Sequence, residues 1–92
     1  MYLYLGKNTV IRDSDIIGIF DLDITSQSYR TRQYLSRAEQ AGQVESATDD
    51  LPKSFVVCQS RDSDRQRVIL AQPASATLQR RLRTDSRKKE AL

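Results

Sequence analysis

The stretch Ile16-Ile17-Gly18-Ile19-Phe20-Asp21-Leu22-Asp23 decides how this chain is read. Six of its eight positions are apolar or glycine, and isoleucine fills three of the first four. β-Branched side chains pack well on a pleated surface, and Gly18 disfavours a helix interior. A short unbroken apolar run with polar ends reads as a strand buried on both faces. The run is taken as the central strand of the fold, with the other elements laid around it.

On its N-terminal side, Tyr2-Leu3-Tyr4-Leu5 and Val10-Ile11-Arg12 are β-favouring and flank Gly6-Lys7-Asn8-Thr9. Glycine and asparagine tolerate positive φ, so residues 2–12 read as a hairpin. Asp13-Ser14-Asp15 is a polar corner leading into the central run.

On its C-terminal side, Thr25 or Ser26 can cap a helix expected over about 27–41. Tyr34, Leu35, Ala38 and Ala41 recur at three- and four-residue steps, and Gly42 stands where a C′ residue belongs. The opposite face carries Arg30, Arg32, Gln33, Arg37, Glu39 and Gln40. Val44–Ala47 is a short strand candidate, and Pro52 breaks the loop that follows. Ser54–Cys58 and Arg67–Ala71 are strands around a polar hairpin loop, Gln59–Gln66. Ser75 can cap a short helix holding Leu78 and Leu82, with Arg80, Arg81 and Arg83 outward. The layout predicts an α+β fold, a small mainly antiparallel sheet with one major helix and a short C-terminal helix. Residues 1–83 are expected to form one domain, and 84–92 a basic, disordered tail.

Ninety-two residues, 38 % of them apolar, allow one modest core, so self-association would help to bury surface. The longest apolar run is far below the roughly 18 residues of a membrane span. No basic segment precedes a long apolar one at the N-terminus, so no secretory signal is read. A single cysteine, Cys58, cannot make an internal disulfide, and a cytoplasmic location is expected. Net charge is +3, but residues 1–78 carry −1 and residues 79–92 carry +4. A basic tail attracts phosphates without sequence preference, and is also a common solubilising end.

The chain has no histidine, which removes the usual general base near neutral pH. Cys58 lies in a strand with no neighbouring base and reads as a buried, inert thiol. The three glycines are scattered, so there is no phosphate loop. Asp13/Asp15 and Asp21/Asp23 form two D-x-D pairs, but neither has the glycine and distal glutamate of a calcium loop. A non-enzymatic protein with no metal, no cofactor and no small-molecule substrate is therefore expected. For nucleic acid the candidate residues are Arg30, Arg32, Arg37, Lys53, Arg80, Arg81 and Arg83, with further cations at Arg61, Arg65 and Arg67. Stacking partners are few, Tyr2, Tyr4, Tyr29 and Tyr34, and arginines on a helix are more often a solvated face.

The order of several motifs carries a resemblance. Tyr2-Leu3-Tyr4-Leu5-Gly6 is followed by Asp15-Ile16-Ile17-Gly18-Ile19-Phe20-Asp21 and by a helix ending Ala41-Gly42. Then come Pro52-Lys53-Ser54-Phe55-Val56-Val57, Val68-Ile69-Leu70 and Pro73-Ala74-Ser75-Ala76-Thr77-Leu78. Over roughly residues 1–82 the chain resembles the bacterial extracellular matrix regulatory proteins, RemA and RemB, and is closer to RemB. The resemblance implies a LytTR-like fold, assembly into closed rings, and control of biofilm-matrix gene expression through double-stranded DNA. The RemA branch binds DNA through arginines at places that fall here on Asp15, Leu51 and Pro52. Lys53 is the only cation in that loop, with Asp49 and Asp50 near it, so DNA contact is expected instead from the helix arginines or the tail. The polar insert Arg61–Gln66 is longer than the family hairpin. Apolar edges at Tyr2–Leu5, Val44–Ala47 and Phe55–Val57 are expected to pair between subunits. The alternative is a protein-interaction or assembly module with no nucleic-acid role, consistent with a near-neutral body and a segregated basic tail.

Overall fold

The computed structural model describes residues 2–22 and 29–82. The strand at its centre is Ser54–Cys58, β5, with all five residues buried. It lies between β3, Ile16–Asp21, and β6, Arg67–Ala71, and β4, Val44–Ser46, completes the order β3-β5-β6-β4. The expected central run is therefore an edge strand, and none of the residues of β3 is fully buried. An apolar run marks a surface that avoids water, but the sheet has one inner position beside β6, and β5 fills it with residues covered on both faces. The expected pairing of Phe55–Val57 between subunits is excluded, because both sides of β5 are already bonded within the chain.

The hairpin forms as expected, but as a sheet of its own: β1, Tyr2–Gly6, pairs antiparallel with β2, Thr9–Arg12. Its turn holds Lys7 at φ 47° and Asn8 at φ 63°, the paired left-handed geometry that matches strand twist. Asp13–Asp15 is a single 3-10 turn leading into β3. β3 and β5, and β5 and β6, are antiparallel, whereas β4 runs parallel to β6. The four-stranded sheet is thus mixed. β3 and β4 point the same way, and the helix α1, Tyr29–Gln40, lies between them in sequence as a crossover.

The two faces of the sheet bury different partners. Val56, Cys58, Ile69 and Ala71 pack with Leu3, Leu5 and Ile11 of the hairpin and with Leu78 of a helix at 75–82, α2. Phe55, Val57 and Val68 face the other way and pack with Ala38 and Leu35 of α1. Strand alternation along β5 explains this division. Ser54, buried among them, donates its hydroxyl to the Pro73 carbonyl at 2.7 Å and ties β5 to the entry of α2.

The C-terminus of α1 is closed as expected. Gly42 takes φ 72°, its N–H donates to Glu39 O at 3.0 Å, and Gln43 N–H donates to Ala38 O at 2.9 Å. These are the paired bonds of a Schellman cap. The covered stripe is Ala38, which is buried, with Thr31 and Leu35 half-buried, while Tyr34 sits on its flank and Ala41 is exposed. The expected caps Thr25 and Ser26 lie outside the described residues, as does the tail at 84–92. α2 starts one residue earlier than read: Ala74 O accepts the first bonds, from Thr77 and Leu78, so Ser75 is already helical. Leu78 and Leu82 face the core as expected. Among the described residues no helix is long and apolar enough to cross a membrane.

Candidate interaction surface

The register of β3 sets up the surface. Ile16 opposes Cys58 and Gly18 opposes Val57, so Ile17 is an extra residue with no partner, a β-bulge. Gly18 and Phe20 then fall on the face shared with Val57 and Phe55. The Phe20 and Phe55 rings stack at 5.1 Å between centroids, inclined by 23°. α1 covers the β6 and β4 side of this face but stops short of β3. An open groove of about 340 Å³ is left between β3 and α1. Ile17, Phe20, Phe55 and Val57 form its apolar floor and wall, Thr31, Tyr34 and Gln66 its polar side, and Arg30 is the charged residue in its lining. Ile17 is 58 % exposed and Phe20 38 %.

Tyr34 is held in place by its hydroxyl, which donates to Gln66 Oε1 at 2.8 Å. Partial burial raises the pKa of this phenol, so it stays a donor across the neutral range.

A second apolar surface lies on the hairpin. Leu3, Leu5 and Ile11 point to the core, so alternation turns Tyr2, Tyr4 and Val10 outward, 59, 55 and 48 % exposed. Arg12 borders it, and interaction with Tyr2 and, next, with Asp15 raises the pKa of its guanidinium. The hairpin and the groove are on opposite faces of the four-stranded sheet.

The candidate DNA contacts are spread over the molecule. Arg30 and Arg37, seven residues apart, share one flank of α1, while Arg32, only two residues on from Arg30, faces the other. Lys53 is exposed at the end of the sheet, where its N–H donates to Ala71 O and its carbonyl accepts from Leu22 N, each at 2.9 Å. Arg80 and Arg81 are exposed on α2, across the sheet from α1, and Arg81 donates to Tyr4 O at 3.2 Å. Arg83 lies outside the described residues. Several other cations have partners within the chain. Arg67 donates to both oxygens of Glu45, at 2.6 and 3.1 Å, which raises its pKa, and Lys7 donates to Asp49 at 2.7 Å. Arg65 donates to Ala41 O at the end of α1 at 2.7 Å.

The chemical candidates change little. Cys58 is buried, and that burial raises its thiol pKa. Of the D-x-D pairs, Asp23 lies outside the described residues. Among those described, no group of three metal-ligating side chains comes together. Of the groove residues Arg30 and Tyr34 are singled out by sequence, as a cation and a stacking partner for nucleic acid. Ile17 and Phe20 read as core and Gln66 as loop, and the available signal was an aromatic and an isoleucine beside a glycine in a strand. Comparison with protein-family models and with curated proteins finds no match to this chain.

Proposed function

We propose that the chain is a non-enzymatic, self-assembling regulator of extracellular-matrix gene expression of the RemB type, with double-stranded DNA as the partner of the assembled form. The observation that carries this reading is the pair of unlike apolar surfaces on opposite faces of the sheet, Tyr2, Tyr4 and Val10 against Ile17 and Phe20. One exposed patch suits a two-fold dimer, whereas two different patches suit head-to-tail contacts, which close into rings when the rotation allows. The order of motifs from Tyr2 to Leu78 supports the same family. A single subunit spreads Arg32, Arg37, Lys53, Arg80 and Arg81 over several faces, so phosphate binding depends on repetition around an assembly.

The test is a fluorescence-anisotropy titration of duplex DNA with the full chain across a salt series, paired with light-scattering mass. An oligomer that binds DNA is expected, with the double variant Arg32→Ala/Arg37→Ala flattening the log–log salt slope by about 1.8, near 0.9 per lost phosphate contact. A monomer, or a slope unchanged in that variant and in Arg80→Ala/Arg81→Ala, rejects this reading. The second reading, an assembly module with no nucleic-acid role, is favoured by the engagement of Lys7 and Arg67 with carboxylates. It predicts an oligomer with no DNA affinity.

A further inference from the structure

We propose that the β5–β6 loop, Gln59–Gln66, is a strap that fastens α1 across the sheet, and that releasing its last two residues lets the helix lift while β5 and β6 stay folded. The strap works within one subunit, whatever that subunit joins.

The helix has a thin hold of its own. Of its twelve residues only Ala38 is buried, with Thr31 and Leu35 half-buried. Its first turn adds little, since Tyr29 is 69 % exposed and Arg30 is exposed as well. Most helical stability in proteins comes from packing an apolar face, and the face here is narrow.

The loop supplies a second hold. Its start is tied to the turn before β3, where Gln59 N–H donates to Asp15 O at 2.9 Å. Its end reaches α1 twice. Arg65 Nη2 donates to Ala41 O at 2.7 Å, and Gln66 Oε1 accepts from the Tyr34 hydroxyl at 2.8 Å. Ala41 O lies at the negative end of the helix, where carbonyls lack helical partners and a guanidinium is favoured. Between these ends the loop braces itself: Gln59 Nε2 donates to Ser63 O at 3.2 Å, and Arg65 N–H donates to Ser63 Oγ at 3.1 Å. A braced bridge thus runs from the β3 side of the sheet to the C-terminal end of α1.

The same bridge is easy to release. Arg65 and Tyr34 are exposed and Gln66 is half-buried, so water can replace each lost bond. β5 and β6 do not depend on it, being paired directly from Ser54 to Cys58. Past the helix, Val68 N–H donates to Gln43 O at 2.9 Å, so the chain is held to the sheet again just beyond Gly42. Lifting the helix would uncover Phe55, Val57 and Val68 and extend the apolar surface begun by Ile17 and Phe20.

The experiment is amide hydrogen exchange of the full chain, read by mass spectrometry on peptides covering residues 34–43 and 54–58. The double variant Arg65→Ala/Gln66→Ala is expected to speed exchange over 34–43 by about fivefold or more and to leave 54–58 at the wild-type rate. Arg65→Lys, which keeps a charged donor, is expected to stay close to wild type. If circular dichroism shows the double variant unfolded, Arg65→Ala and Tyr34→Phe carry the same comparison, each with about a twofold effect or more. Unchanged exchange over 34–43 overturns the proposal. So does a rise of equal factor over 54–58, which would mark a general loss of stability.

Discussion

The ring of Phe20 occupies the space that a side chain on Gly18 would need. A Cβ built on Gly18 would lie 2.6 Å from the tip of that ring, which also stacks on Phe55. The two residues are neighbours on one face of an edge strand, so the aromatic covers backbone that the glycine leaves bare. Gly18→Ala must displace Phe20, and a loss of about 1–3 kcal/mol is expected from overpacking. Urea unfolding of Gly18→Ala, Phe20→Leu and the double variant checks this. The alanine should cost clearly less in the Phe20→Leu background, and strictly additive losses would contradict the contact.

Gly6 and Gly42 both hold positive φ, yet they should respond differently to alanine. At Gly42, φ 72°, a Cβ meets nothing within 4 Å, so the cost is that of a left-handed alanine, about 1 kcal/mol. At Gly6, φ 125°, the added Cβ would come within 2.6 Å of the Ala47 carbonyl oxygen, which is backbone. The hairpin would have to lift from the end of β4. Thermal melts should show Gly6→Ala falling much further than Gly42→Ala, and equal shifts would contradict the close approach.

The Arg67–Glu45 pair has two bonds but is half exposed, so its contribution should be small. A double-mutant cycle with Arg67→Gln and Glu45→Gln is expected to return under about 1 kcal/mol of coupling, falling further in concentrated salt. A large, salt-insensitive coupling would place the pair in a drier setting than its exposure implies.

Cys58 ties stability to alkaline pH. Burial raises its pKa in the folded chain above the ordinary thiol value near 8.5. Below that ordinary value both states hold the proton and no pH dependence arises. Above it the unfolded chain ionises first, so stability declines as pH rises toward the folded-state pKa. Cys58→Ala should lose this part of the decline when unfolding is followed from pH 7 to 10, and identical slopes would count against it. In the native protein Cys58 should also react with a thiol reagent far more slowly than in denaturant.

Much of the fold can be read from local chemistry. Gly42 marks the end of α1, Lys7 and Asn8 mark a tight hairpin, and the β-rich runs around Phe55 and Ile69 are strands. These features depend on residues near in sequence. What escapes is placement. Ile16–Phe20 is more apolar than many core strands, but whether apolar surface meets the chain's own core or another molecule is not encoded in hydrophobicity. The bulge at Ile17 depends on its register with Cys58 and Val57, forty residues away. The parallel alignment of Val44 with Val68 depends on the helix between β3 and β4. The candidate surface inherits the same difficulty, since Arg30 announces itself by charge whereas Ile17 and Phe20 join the groove only through the register and edge position of β3.

The strand order β3-β5-β6-β4 also has a consequence for biosynthesis. Both outer strands are synthesised before either inner one. Ile16–Asp21 and Val44–Ser46 must wait, without a sheet to join, until Ser54–Cys58 and Arg67–Ala71 have been made and have folded on each other. The apolar surface of Ile17 and Phe20 is then carried on an unfinished chain through most of its synthesis. The β1–β2 hairpin is complete first, from local contacts alone.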